Sequence, residues 1–188
     1  DGSQGVKAVF VYPMNALAND QLVRLRRLLN GTALNITFGL YTGNSDASSQ
    51  NLDEPVADCE RATRADIQRN PPDILLTNYK QLEFLLIRKD DRHLFTPALR
   101  YLVLDELHTY RGALATEIAC LIRRLKTHAE LKPGQLIAVG TSATVSSTAE
   151  GLAALAEFAS NLFGESVAAE RIIGEIVEAP LRVTLLAE

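Results

Sequence analysis

Apolar residues in this chain fall into two kinds of run, and the two kinds alternate. Short, almost uninterrupted apolar stretches occur at 6–12, 36–41, 73–76, 101–104 and 136–139. Each predicts a buried strand. Between them the apolar positions recur at helical spacing. Ala18, Leu22, Leu25 and Leu29 share one face of a helix predicted over 16–29. Asn15 is its expected N-cap, and Asp20, Arg24 and Arg27 point elsewhere. Leu82, Leu85 and Leu86 turn inward on a helix over 79–88. Ile118, Leu121, Ile122 and Leu125 do so over 116–131, where Pro133-Gly134 stops the helix. Leu152, Leu155, Ala156, Ala159 and Leu162 are in register over 149–163, closed by Gly164. A shorter helix is expected over 59–68, before Pro71-Pro72. Residues 42–58 are polar and read as a long loop, while 171–186 hold one or two short apolar runs without legible chemistry.

Apolar strands alternating with helices imply an α/β fold, with a mostly parallel sheet covered on both faces. In such folds functional residues gather at the carboxyl ends of the strands. The polar insertions here do follow strands: Pro13-Met14-Asn15, Thr42-Gly43, Thr77-Asn78, Asp105-Glu106 and Thr141-Ser142. No internal repeat, low-complexity segment or second domain is visible.

The 188 residues suffice for one domain with a real core, and 47% hydrophobic against 22% charged residues is an ordinary globular balance. The net charge of −4 does not advertise nucleic-acid binding. Any such binding must come from local patches, such as Arg24, Arg26 and Arg27 or Arg123 and Arg124, which equally read as solvated helix faces. Cys59 and Cys120 form no CxxC pair, which excludes a zinc ligand set and a disulfide framework and fits a reducing, intracellular setting. No apolar segment is long enough to span a bilayer, so no membrane partner is expected. The N-terminus carries neither a signal peptide nor an initiator Met, and the chain looks like a fragment of something longer.

Two adjacent carboxylates at the end of a buried strand repel each other, and Asp and Glu are strand-depleted. A cation offsets that cost, and a divalent metal carrying a phosphate is the usual one. At this point a family resemblance is plain. Asp105-Glu106-Leu107-His108 resembles the DExH form of motif II in superfamily 2 helicases. Thr141-Ser142-Ala143-Thr144 resembles their motif III. Residues 12–21, Tyr-Pro-Met-Asn-Ala-Leu-Ala-Asn-Asp-Gln, resemble motif Ia, and Thr77-Asn78-Tyr79 motif Ib. Tyr41-Thr42-Gly43 is similar to the Thr-Gly element between them. The wording of motif Ia is similar to that of the Lhr-like helicases and of bacterial DNA-repair and phage-defence helicases with a C-terminal zinc-binding domain.

The resemblance implies a RecA-like fold of the P-loop NTPase type, with ATP and Mg²⁺ as cofactors. Asp105 would hold Mg²⁺ through water, and Glu106 would orient or deprotonate the attacking water. His108 would couple the nucleotide site to motif III. Ser142, Ala143 and Thr144 would link motif II to nucleic acid or to a second lobe, the two hydroxyls bonding the motif II carboxylate and imidazole. They serve equally well as a cap for the helix that follows. Pro13, Asn15, Gln21, Thr42, Gly43, Thr77 and Asn78 would contact the backbone of single-stranded or tailed DNA, or RNA, although each alone is ordinary turn chemistry. Tyr79 and Tyr110 could stack on bases or pack.

Such an ATPase needs G-x-x-x-x-G-K-[ST], and none of the 11 glycines is followed by Lys. Residues 1–188 are therefore expected to be one N-terminally truncated RecA-like domain, holding motifs Ia to III. The phosphate loop and second RecA-like lobe would lie elsewhere in a bacterial, cytoplasmic parent, and the fragment alone would be inactive. Two alternatives stay open: a non-catalytic nucleic-acid-binding pseudo-helicase, and an ATP-driven restriction or remodelling translocase that separates no strands.

Overall fold

The computed structural model describes residues 4–43, 55–143 and 148–174. Six parallel strands form one sheet in the order β3-β2-β4-β1-β5-β6. The strands are β1 (Ala8–Tyr12), β2 (Phe38–Tyr41), β3 (Glu60–Arg61), β4 (Ile74–Asn78), β5 (Tyr101–Leu104) and β6 (Ile137–Gly140). The helices are α1 (Asn15–Leu29), α2 (Arg64–Arg69), α3 (Tyr79–Ile87), α4 (Ala113–His128) and α5 (Ala149–Phe163). No helix among the described residues is long and apolar enough to cross a membrane.

Alternate side chains of the strands supply two cores. Val9, Val11, Leu75, Leu102 and Leu104 pack with Ile67 and with the inward residues of α3, α4 and α5. Tyr12, Phe38, Leu40 and Leu76 pack with Ala18, Leu22 and Leu29 of α1 on the other face. That second cover is incomplete. α1 meets β1, β2 and β4, whereas Tyr101 of β5 is 47% exposed and Ile137 and Val139 of β6 are 52% and 43% exposed. Tyr101 is in register with Ile137, and Val103 with Val139. Among the described residues no strand pairs with the outer edge of β6.

Several expectations need correction. The helix predicted over 116–131 runs Ala113–His128 and ends at Ala129, before Pro133-Gly134 is reached. Asn15 is the first residue of α1 rather than its cap; Met14 holds the cap position and makes no side-chain cap bond. The Asn15 side chain is engaged elsewhere, accepting from Asn78 Nδ2 at 2.7 Å. Residues 60–61 form strand β3 instead of opening a helix, which starts only at Arg64, capped by Thr63. The cause is Arg26, whose Nε and Nη2 donate to Glu60 Oε2 and Oε1 at 2.6 and 2.8 Å. This bidentate pair is buried, with side chains 2% and 1% exposed. Arg26 therefore leaves the surface patch proposed for it. Arg124 pairs with Glu83 at 2.8 Å but stays on the surface, both side chains being about half exposed. Residues 44–54 of the loop predicted at 42–58, and 175–186 of the tail at 171–186, lie outside the described residues.

Candidate functional site

The chemistry-bearing residues meet along one rim, the carboxyl end of the sheet. β1 is the shared wall: Val11 pairs with Leu104 of β5, and Tyr12 with Asn78 of β4. One cluster lies on the β5–β6 side of it and another on the β2–β4 side.

The β5–β6 cluster is built by ladder continuity. Asp105 N donates to Val11 O at 3.0 Å, Thr141 N to Leu104 O at 3.0 Å, and Leu107 N to Thr141 O at 2.7 Å. Thr141 Oγ1 donates to Asp105 Oδ1 and accepts from Glu106 N at 3.3 Å. Glu106 has φ 55 and ψ 53, a left-handed conformation disfavoured for a residue with a Cβ. Its carbonyl accepts from Thr109 N and Thr109 Oγ1, both at 2.8 Å. Backbone strain held by side-chain bonds is characteristic of sites where geometry matters more than local stability.

His108 Nδ1 lies 3.1 Å from Glu106 Oε2 and 3.4 Å from Ser142 Oγ. The first approach is an ion-pair distance without hydrogen-bond alignment. Glu106 Oε2 is thus buried with no hydrogen-bond partner among the described residues. An orphaned carboxylate oxygen beside a hydroxyl-bound Asp suits a pair that orients water next to a hydrated cation. No three His, Cys, Asp or Glu side chains among the described residues are grouped to hold a metal. A Mg²⁺ ion keeps several waters and takes one or two carboxylates plus phosphates. Burial, and then the charge of Asp105, push the Tyr12 and Tyr110 phenols up. Tyr110 is fully buried and belongs to the core, so its candidate role in base stacking is lost.

Leu107 explains a residue that sequence reasoning missed. A Cβ on Gly140 would overlap Leu107 Cδ1 and Cγ. Only glycine lets the two strand ends approach this closely, but the requirement is invisible until β5 and β6 are paired. Ser142 and Ala143 follow directly; Thr144 lies outside the described residues.

The β2–β4 cluster is an open depression of about 350 Å³ lined by Pro13, Asn15, Gly43, Asn78, Tyr79 and Lys80, among others. Asn78 works twice: its Oδ1 caps α3 by accepting from Gln81 N at 2.8 Å, and its Nδ2 bridges to Asn15. α1 and α3 therefore present their amide-rich first turns side by side. Thr77 and Thr42 are buried. Thr77 Oγ1 supports Tyr41 O from beneath at 2.7 Å. Gln21 sits half-buried further along α1, bonded to Asp20 at 3.5 Å, away from the depression. Two basic residues join the site unpredicted. Arg64 Nη2 donates to Thr42 O at 2.7 Å and to Gly43 O, with its guanidinium 5.6 Å from the Tyr41 ring centre. Lys80 is exposed on the first turn of α3. Its place directly after Thr77-Asn78-Tyr79 was the only available signal; Arg64 offered none.

A sequence model of the DEAD/DEAH box helicase family matches residues 1–152. Druantia protein DruE of Escherichia coli (strain UMEA 4076-1) is 27% identical, over 89% of this chain and 14% of its own length. The Lhr helicase/probable uracil glycosylase of Mycolicibacterium smegmatis is 34% identical, over 76% of this chain and 9% of its own. The crystal structure of DUF1998 helicase MrfA bound to DNA and AMPPNP is similar at TM-score 0.62 and 28% identity, over 85% of this chain and 20% of that one. The chain thus spans a fifth or less of each of these relatives.

Proposed function

The chain belongs to the DEAD/DEAH box helicase family, and from that premise we propose that it is part of the motor domain of an ATP-dependent DNA helicase or translocase. The observation that carries the reading is Glu106: held in a left-handed conformation, half-buried, and with its one inaccessible oxygen accepting no hydrogen bond among the described residues, beside Asp105. Mg-ATP supplies the phosphoryl group and the cation that neutralises it. Asp105 would hold the cation through water. Glu106 orients the attacking water and accepts its proton. His108 and Ser142, in contact with each other, carry the change at Glu106 toward motif III and a second lobe, with Ala143 and Thr144 continuing that path.

In this reading the strand lies across Pro13, Asn15, Gly43 and Asn78, gripped by phosphate rather than read by base. Lys80 adds the positive charge that the net composition lacks. Thr42 and Thr77 act from beneath, by shaping the backbone, and Gln21 extends the contact along α1. DNA rather than RNA is supported by the DNA-bound relative. Use of ATP implies an intracellular location.

The edge of β6, unpaired among the described residues, and the half-exposed face of Tyr101, Ile137 and Val139 support one further part of the proposal. A strand–helix unit from the same parent protein fills both and carries the phosphate loop to the end of β6. The 188 residues alone then neither hydrolyse ATP nor unwind DNA. In the intact protein, Glu106→Gln is expected to keep ATP binding and abolish DNA-stimulated turnover. Unchanged turnover would remove Glu106 from its role.

A further inference from the structure

We infer that Thr141, which precedes the Ser-Ala-Thr of motif III, is the positioning residue for both motif II carboxylates; this rests on the ATP reading above. A threonine hydroxyl has one proton to give and lone pairs to receive. Here the proton goes to Asp105 Oδ1 and a lone pair receives Glu106 N–H. The backbone of the same residue donates to Leu104 O and accepts from Leu107 N. One residue at the end of β6 thereby grips four consecutive residues at the end of β5.

Each grip has a chemical consequence. With Oδ1 held by the hydroxyl, the Asp105 carboxylate is fixed in rotation and Oδ2 is the oxygen left for a metal-bound water. The bond to Glu106 N–H fixes one side of the left-handed residue, while Thr109 fixes the other through Glu106 O. Ser142 has a different task, reaching His108 at 3.4 Å. Thr141 thus bonds the motif II carboxylate, while Ser142 reaches the imidazole. Outer hydrogen bonds of this kind tune metal affinity through the ligand they hold.

The test uses the full-length protein with three variants, Thr141→Val, Thr141→Ala and Thr141→Ser. Valine keeps the shape and removes both hydroxyl bonds; serine keeps both. Mn²⁺ affinity of the AMPPNP complex is measured by electron paramagnetic resonance, alongside the Mg²⁺ dependence of DNA-stimulated ATP turnover. Thr141→Val is expected to weaken Mn²⁺ binding roughly 10-fold or more, to shift the Mg²⁺ half-maximum upward to match, and to melt like wild type. Thr141→Ser restores both metal readouts. If Thr141→Val does not fold, Thr141→Ala carries the same comparison. Wild-type Mn²⁺ affinity in Thr141→Val, in a protein that turns over ATP, would overturn the positioning role. A wild-type protein without metal-dependent turnover would instead overturn the ATP reading, and this role with it.

Discussion

The side-chain amide of Asn78 donates to the side-chain oxygen of Asn15 across 63 residues of sequence. The same Asn78 caps α3, so one residue ties together the starts of two helices. Asn78→Ala should cost about 1 kcal/mol for the lost cap alone. Asn15→Ala loses only an exposed bridge and should cost less than half as much. Under the proposed function both weaken single-stranded DNA binding without changing ATP affinity. Urea melts and fluorescence anisotropy separate the two effects. Equal destabilisation by both variants would mean that Asn78 does not cap.

Gly140 and Leu107 form a second such relationship, a steric one. Gly140→Ala should destabilise the protein by roughly 1–3 kcal/mol, because the new methyl overlaps a packed Leu side chain. Trimming that side chain relieves the overlap. The double variant with Leu107→Ala should therefore be no less stable than Leu107→Ala alone, a non-additivity readable by a double-mutant cycle. Additive losses would show that the strand ends part freely.

Arg26 and Glu60 are both almost fully buried, so removing one strands the charge of the other. Arg26→Met should cost about 3–5 kcal/mol. Replacing both partners by apolar residues should recover most of that loss. Chemical denaturation of the single and double variants measures it. A surface arginine would cost almost nothing, so a small effect for Arg26→Met returns it to the surface patch.

Two carboxylates make stability depend on acid. Burial pushes Asp73 up, but bonds from Lys7 and Thr37 outweigh it and leave the carboxyl below its ordinary value. Lys126 lowers Glu165, against a smaller burial effect. A carboxyl lowered by folding stabilises above its unfolded pKa and loses that contribution as pH falls through its folded pKa. Stability should therefore decline as pH drops below the ordinary carboxylate range, about 4. Asp73→Asn should start less stable at neutral pH and decline less steeply. An acid slope identical to wild type in Asp73→Asn would remove Asp73 from this account.

Much of this was legible because apolar runs determine elements directly. Tyr101–Leu104 and Ala149–Phe163 match the expected strand and helix residue for residue. Asp105, Glu106 and His108 could be grouped as candidates because they fall within four consecutive residues. What stayed hidden depends on partners brought close only by parallel pairing. Arg26 finds Glu60 34 residues away, and Arg64 finds Thr42 22 residues away. Gly140 is required by a leucine in the turn that follows the neighbouring strand. Periodicity sees one helix face at a time and cannot distinguish a solvated arginine from a buried, paired one.

The exposed apolar strip on β5 and β6 allows a test of what completes the sheet. An unpaired apolar edge strand is a template for self-association, which lysines on its surface suppress. The isolated chain should therefore associate as its concentration rises, in size-exclusion chromatography with light scattering. Ile137→Lys combined with Val139→Lys should render it monomeric with little change in melting midpoint, because both side chains are about half exposed. In the intact parent protein the same pair should behave oppositely. If a strand–helix unit covers this face there, the two lysines are buried without partners and the melting midpoint falls sharply. A double variant harmless in both settings would leave the face bare in the parent as well, and the phosphate loop would have to reach Asp105 from elsewhere.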